Sequence, residues 1–272
     1  METILDRINA HKMAEVALRR EQTPLSALRD SADYAAPRRS LVAALRDSTD
    51  YGIIAEFKRK SPSQNDINLA ADPAAIAQGY AGAGAAGISC LTDGAFFGAL
   101  PTDFAAVRRS VDLPLIRKDF VVDPYQLHEA RAMGGDVVLL IAASLSAAQI
   151  ADYTAEAHSL GLEVLCEVHN EEEVGRLSPE VDIVGVNNRN LKDFSVSIHN
   201  SIRLAELLPP GIPRISESGI EDPQAIARLR RAGYRGFLIG TYFMREADAG
   251  RALADFVGQV RTIEDLYDGA IA

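Results

Sequence analysis

Eight polar or ionisable residues stand at the ends of apolar runs, and their spacing is unusual. In "IIAEFKRKSP", two isoleucines and an alanine lead into Glu56 and Lys58. Side chains alternate faces along a strand, so these two residues share a face. A carboxylate beside an ammonium can hold it charged and oriented while the ammonium meets an anion. "PLIRKDF" ends on Lys118, "LEVLCEVH" carries Glu167, and "VGVNNRN" places Asn187 and Arg189 two apart. "RISESG" offers Glu217 and Ser218. Cations and carboxylates on one rim could stabilise a developing oxyanion and move protons. Ser218 and Gly219, with Gly240 and Thr241 in "GFLIGT", supply small residues and hydroxyls that suit a phosphate.

The elements needed to bring these groups together are legible as alternation. Short apolar, β-branched runs fall at 53–57, 87–91, 113–117, 136–142, 163–168, 181–186, 212–216 and 236–240. Helical patterns such as "DPAAIAQGYAGAG" and "SAAQIADYTAEAHSLG" lie between most of them, with Asp-Pro or Ser starts and Gly stops. "DVVLLIAA" is apolar on both faces, as a covered parallel strand requires. Eight such units predict an α/β fold, a (β/α)8 TIM barrel with its site at the C-terminal strand ends. A doubly wound sheet is the alternative arrangement. Residues 1–48 are expected to form a helical extension packed on a barrel of residues 49–272, with Ile4, Leu5, Ile8 and Val16 on one helix face.

Several classes of function are disfavoured. The 272 residues are 47% hydrophobic and carry a net charge of −10 without a basic block, which argues against nucleic acid. No apolar run of about 18 residues exists to span a membrane. Asp6, Arg7 and Asn9 interrupt any signal-peptide core. Cys90 and Cys166 sit in apolar runs and read as buried thiols, which predicts a cytoplasmic protein. His11, His128, His158, His169 and His199 show no metal-ligand spacing, so no metal is expected and each histidine reads as surface or core. Gly82, Gly84 and Gly87 spell GxGxxG, but they close a helix and precede a strand. A dinucleotide loop has the opposite order.

Seven stretches, in order from about residue 50 to 250, resemble the indole-3-glycerol phosphate synthase family. They are "IIAEFKRKSPS", "LTDGAFFG", "LPLIRKDFVVDPYQLHEARAMGGDVVLLIA", "LGLEVLCEVHNEEEV", "VGVNNRNL", "ISESGI" and "GFLIGTYFM". The resemblance implies a cofactor-free reaction of tryptophan biosynthesis. In it, 1-(2-carboxyphenylamino)-1-deoxyribulose 5-phosphate closes to indole-3-glycerol phosphate with loss of carbon dioxide and water. It implies Lys118 as the acid at the carbonyl, with Lys58 and Glu167 sharing the remaining acid and base steps. Glu56 and Glu217 would orient the lysines, and Asn187 and Arg189 would position the substrate. Ser61, Gly219, Gly240 and Thr241 would hold phosphate beside Ser218, and Phe97 and Phe120 would wall the aromatic ring. No fused pathway domain is expected.

Two departures stand out. Gln64 and Asn65 follow "SPS", where the family has a basic residue and a glycine, so the loop should attract phosphate less strongly. Cys166 replaces an apolar residue beside Glu167 and should change little. The alternatives are another phosphate-binding barrel, such as phosphoribosylanthranilate isomerase, or a non-catalytic one. The isomerase would be expected to carry a Cys base on the first strand, where Glu56 and Lys58 stand.

Overall fold

The computed structural model describes residues 3–47, 51–191 and 193–269. Eight strands form a closed parallel barrel in chain order: β1 (Ile53–Phe57), β2 (Gly87–Leu91), β3 (Leu115–Lys118), β4 (Val137–Ile141), β5 (Glu163–Val168), β6 (Ile183–Asn187), β7 (Arg214–Glu217) and β8 (Gly236–Ile239). The barrel closes where Ile53 and Ile54 of β1 pair with Phe237 and Leu238 of β8. This is the predicted (β/α)8 architecture. β3 and β7 each begin just after a proline, later than the apolar runs suggest. Pro114 and Pro213 have no N–H to give, although their carbonyls accept from Ile88 and Val184.

Period-two alternation separates two cores. Ile53, Ala55, Phe57, Cys90, Val138, Leu140, Val164 and Cys166 face the helices. Ile54, Ile116, Leu139, Leu165, Ile183, Ile215 and Leu238 fill the barrel. Two residues further along the same faces come Glu56, Lys118, Glu167, Glu217 and Gly240. The apolar interior layer therefore dictates which polar residues project into the mouth.

The N-terminal segment runs from the mouth to the base. Helix Ile4–Gln22 starts with a Thr3–Asp6 capping box and buries Leu5, Ile8 and Val16. Ile4 is only half-buried, whereas Lys12 on the same face is fully buried. Helices Leu25–Arg29 and Ala32–Ala35 lie against Tyr125–Ala132. Helix Leu41–Asp47 then plugs the base with Leu41 and Leu45. A Cβ at Gly87 would stand 2.8 Å from Leu41 Cδ1. The third glycine of the GxGxxG pattern thus makes room for this plug, while Gly82 closes helix Pro73–Gly82. The expected boundary between residues 48 and 49 lies outside the described residues, as do residues 1 and 2 of the extension. Among the described residues, no helix is long and apolar enough to cross a membrane.

Candidate active site

The barrel mouth opens into a cavity of about 690 Å³, and every site residue drawn from the sequence lines it. Glu56, Lys58 and Ser61 come from β1 and its loop, and Phe97 from the loop after β2. Lys118 and Phe120 follow from β3, Glu167 from β5, and Asn187 and Arg189 from β6. Glu217, Ser218 and Gly219 come from β7, and Gly240 and Thr241 from β8. Leu139, Ile141 and Leu238 make an apolar floor, and Ile4, Leu5 and Ile8 of the N-terminal helix complete the wall.

Two ion-pair centres dominate. Lys58 Nζ lies 2.7 Å from Glu56 Oε1. Lys118 Nζ lies 2.6 Å from Glu217 Oε2 and 3.5 Å from Glu167 Oε2. Burial works against the charge on Lys118, but Glu217, Glu167 and Glu56 outweigh it and hold its pKa above the ordinary lysine value. Burial likewise raises Glu56, yet Lys58 and Lys118 bring it below the usual carboxylate range. Glu167 also ends below that range, because Lys118, His169 and a hydrogen bond with the Asn187 side chain outweigh its burial. One ammonium cannot neutralise two carboxylates. Glu217, the more deeply buried of the two beside Lys118, is pushed up to about 7 by burial, against the pull of Lys118 and with the push of Glu167 and Glu56. Of the carboxylates around Lys118 it is the one that takes up a proton most readily.

Glycines set the available space. A Cβ at Gly240 would stand 2.5 Å from Glu56 Oε1, and one at Gly185 would stand 2.1 Å from Glu217 Oε1. Gly240 therefore serves the Glu56 carboxylate directly, a role its phosphate assignment did not reveal. Gly219 has φ +70° and Ser218 has φ +68°. A serine in left-handed backbone is uncommon and is held here by Asn188, whose amide donates to the Ser218 carbonyl at 3.1 Å. These residues and Thr241 form one small-residue corner of the cavity, with Ser61 on the facing loop.

The aromatic wall is built from loops. Asp93 accepts from the Phe96 and Phe97 amides and caps helix Gly94–Phe97. The Phe97 and Phe120 rings stand 5.8 Å apart at 37°. Behind them Lys12 Nζ lies 2.8 Å from Asp93 Oδ2 and 3.0 Å from Asp119 Oδ1. Asp119 in turn accepts from the Phe120 amide and pairs with Arg117. Sequence reading missed Lys12, because a lysine on a helix ordinarily faces water.

The β1 loop lacks its basic residue, but the opposite wall carries one. Arg245 Nη2 donates to Gln64 Oε1 at 3.0 Å, and both side chains line the cavity. Among the described residues, no group of three or more His, Cys, Asp or Glu is arranged to hold a metal ion. Neither cysteine faces the cavity; both are unbonded and packed toward the helices.

A family profile described as indole-3-glycerol phosphate synthase matches residues 5–256. The chain belongs to the indole-3-glycerol phosphate synthase family. A synthase of that name from Bacteroides thetaiotaomicron is 44% identical over 261 residues, covering 96% of this chain and all of that one. The Laribacter hongkongensis synthase is 45% identical over 93% of this chain and 98% of its own. Among solved structures, a thiamine phosphate pyrophosphorylase from Pyrococcus furiosus has a TM-score of 0.57 at 16% identity, covering 81% of this chain and 99% of that one. An N-acetylmannosamine-6-phosphate 2-epimerase from Clostridium perfringens has the same TM-score at 14% identity, over 76% of this chain and 92% of its own. At such identities these two speak for the barrel fold alone.

Proposed function

We propose that the protein is a carboxy-lyase that closes the indole ring of indole-3-glycerol phosphate from 1-(2-carboxyphenylamino)-1-deoxyribulose 5-phosphate. The observation that carries this reading is Lys118, a buried ammonium clamped by Glu217 and Glu167 in the cavity at the barrel mouth. The ring carbon that bears the carboxylate attacks the ribulose carbonyl. The carbonyl oxygen gains negative charge and takes a proton from Lys118. Glu217, 2.6 Å away and with its carboxyl pushed up by burial, returns a proton to that lysine. Carbon dioxide leaves and restores the aromatic ring. The new hydroxyl then departs as water with a proton from Lys58, and Glu167 removes the proton on the adjacent carbon.

Charge and shape support the same assignment. Glu56 aims Lys58, which also faces the substrate carboxylate before it is lost. Asn187 and Arg189 position the substrate between the Phe97 and Phe120 wall and the small-residue corner. Gly219, Gly240, Thr241, Ser218 and Ser61 hold the phosphate by backbone N–H and hydroxyl groups. The reaction needs no cofactor. The buried, unpaired thiols favour a cytoplasmic setting. They also disfavour an isomerase, because neither thiol reaches the cavity.

The test is incubation of the purified protein with the carboxyphenylamino substrate while the indole chromophore is followed. Indole formation supports the reading. Turnover of phosphoribosylanthranilate instead would replace it with the isomerase.

A further inference from the structure

His169 stands one residue past β5, and no motif singles it out. It does not line the catalytic cavity. It borders a neighbouring cavity of about 590 Å³ beneath the start of the N-terminal helix. Its ring lies between two carboxylates. Nδ1 is 2.9 Å from Glu173 Oε2, and Nε2 is 3.3 Å from Glu167 Oε1. The Glu173 carboxylate is fixed from three sides. It takes the His169 amide at 2.7 Å as well as the ring, and the Asn170 side-chain amide at 2.7 Å. Nδ1 therefore carries its proton toward Glu173. Nε2 is wholly buried and makes no hydrogen bond, so the facing Glu167 carboxylate is what answers it. A buried polar atom left so is costly unless an opposite charge faces it, as Glu167 does here.

We infer that His169, an imidazolium clamped by Glu173, is a positioning residue for Glu167: it keeps the proposed base ionised and aims its carboxylate into the cavity. The inference rests on the reading of Glu167 as the base in the proposed ring closure. Other groups around the pair are accounted for. Lys118, Glu217 and Glu56 face Glu167 from β3, β7 and β1. On the outer side Asp6, Arg189 and Arg203 border the cavity next to His169. Asp6 is engaged in its capping box and Arg203 pairs with Glu171. Burial alone would lower the imidazole pKa. The Glu173 hydrogen bond and the charges of Glu167, Glu173 and Glu217 raise it above the ordinary value. Lys118 is shared between two carboxylates, so a second cation is what allows Glu167 to remain a base while Glu217 takes up a proton.

The test is the pH profile of kcat/KM between pH 5 and 9.5 for the wild type, His169→Gln and Glu173→Gln. His169→Gln should move the acid limb up by roughly one to three units, the effect of losing an opposite charge at this range. KM at the plateau should stay within about twofold, because the ring does not touch the substrate cavity. The same shift is expected in a Glu217→Gln background, where Glu217 cannot titrate. Glu173→Gln keeps an acceptor for Nδ1 but removes the charge, so the imidazolium should be lost at lower pH and the ¹⁵N titration midpoint of His169 should move down. An imidazole ¹⁵N spectrum at pH 7.5 should show both ring nitrogens of His169 protonated in the wild type. An unmoved acid limb in His169→Gln, an unmoved His169 titration in Glu173→Gln, or a neutral His169 in the wild-type spectrum would overturn the inference. If His169→Gln does not fold, Glu173→Gln and the spectrum decide alone. A wild type that forms no indole would instead overturn the proposed function, and the two failures are thereby distinct.

Discussion

Replacing Lys118 with methionine separates catalysis from folding. The side chain keeps most of its length and loses its charge. General acid catalysis contributes about 10²–10⁴-fold, so kcat for ring closure should fall by that factor, about 3–5.5 kcal/mol of barrier. The fold should remain, but two buried carboxylates lose their shared cation, with Glu217 at 1% exposure and Glu167 at 4%. Breaking a buried pair costs about 3–5 kcal/mol when the remaining charge cannot neutralise. Here it can, since Glu217 already titrates near 7. Without Lys118, Glu217 binds its proton still more tightly in the native state than in the unfolded chain, while His169 continues to face Glu167. Stability must then fall as pH rises, by about 1.4 kcal/mol per pH unit for that proton. The Tm deficit of Lys118→Met should therefore be larger at pH 8 than at pH 6. The assay is indole formation under saturating substrate, with Tm measured at both pH values. A variant that keeps more than about a tenth of the wild-type kcat would refute the acid role. A Tm deficit independent of pH would refute the electrostatic account of the Lys118 cluster.

Other expectations follow from single contacts. A crystal grown with sulfate or phosphate should hold the anion beside Gly219, Gly240 and Thr241; an anion at the opposite rim, near Leu41, would contradict the strand-end assignment. Gly240→Ala puts a methyl group 2.5 Å from Glu56 Oε1, so it should lower kcat/KM by at least about tenfold through displacement of Glu56 and Lys58, and unchanged kinetics would show that Glu56 need not be there. Gln64→Lys places a cation beside Arg245 on the cavity wall; KM should fall at low salt and the gain should shrink at high salt, whereas an unaltered KM at low salt would mean that position 64 does not face the phosphate. Lys12→Met leaves Asp93 without its cation and Asp119 with Arg117 alone, and should cost about 3–5 kcal/mol of stability, read by chemical denaturation; a loss below about 1 kcal/mol would deny Lys12 its structural part.

The strands and the inward rim were legible because one rule governs both. Alternation places Ile54, Glu56 and Lys58 on one face, and the same parity holds for Leu165 with Glu167 and Ile215 with Glu217. What escaped was decided by partners distant in the chain. Lys12 is buried only because Asp93 and Asp119 arrive from loops after β2 and β3. Arg245 matters to Gln64 across 181 residues. His169 reads as an ordinary loop histidine until Glu173 returns one helical turn later to face it. Gly240 looks like a phosphate glycine and is also the space that Glu56 needs. Local sequence carries periodicity and caps, but it does not say which charged side chain will meet another after the barrel closes.

Which bond breaks in this cavity decides the reaction. This is tested most directly with substrate labelled with ¹³C at the anthranilate carboxylate. The released carbon dioxide is measured by mass spectrometry beside the indole produced. One equivalent of labelled carbon dioxide should appear for each indole formed, with both signals lost together in Lys118→Met. Consumption of substrate with the label retained in an organic product would contradict it.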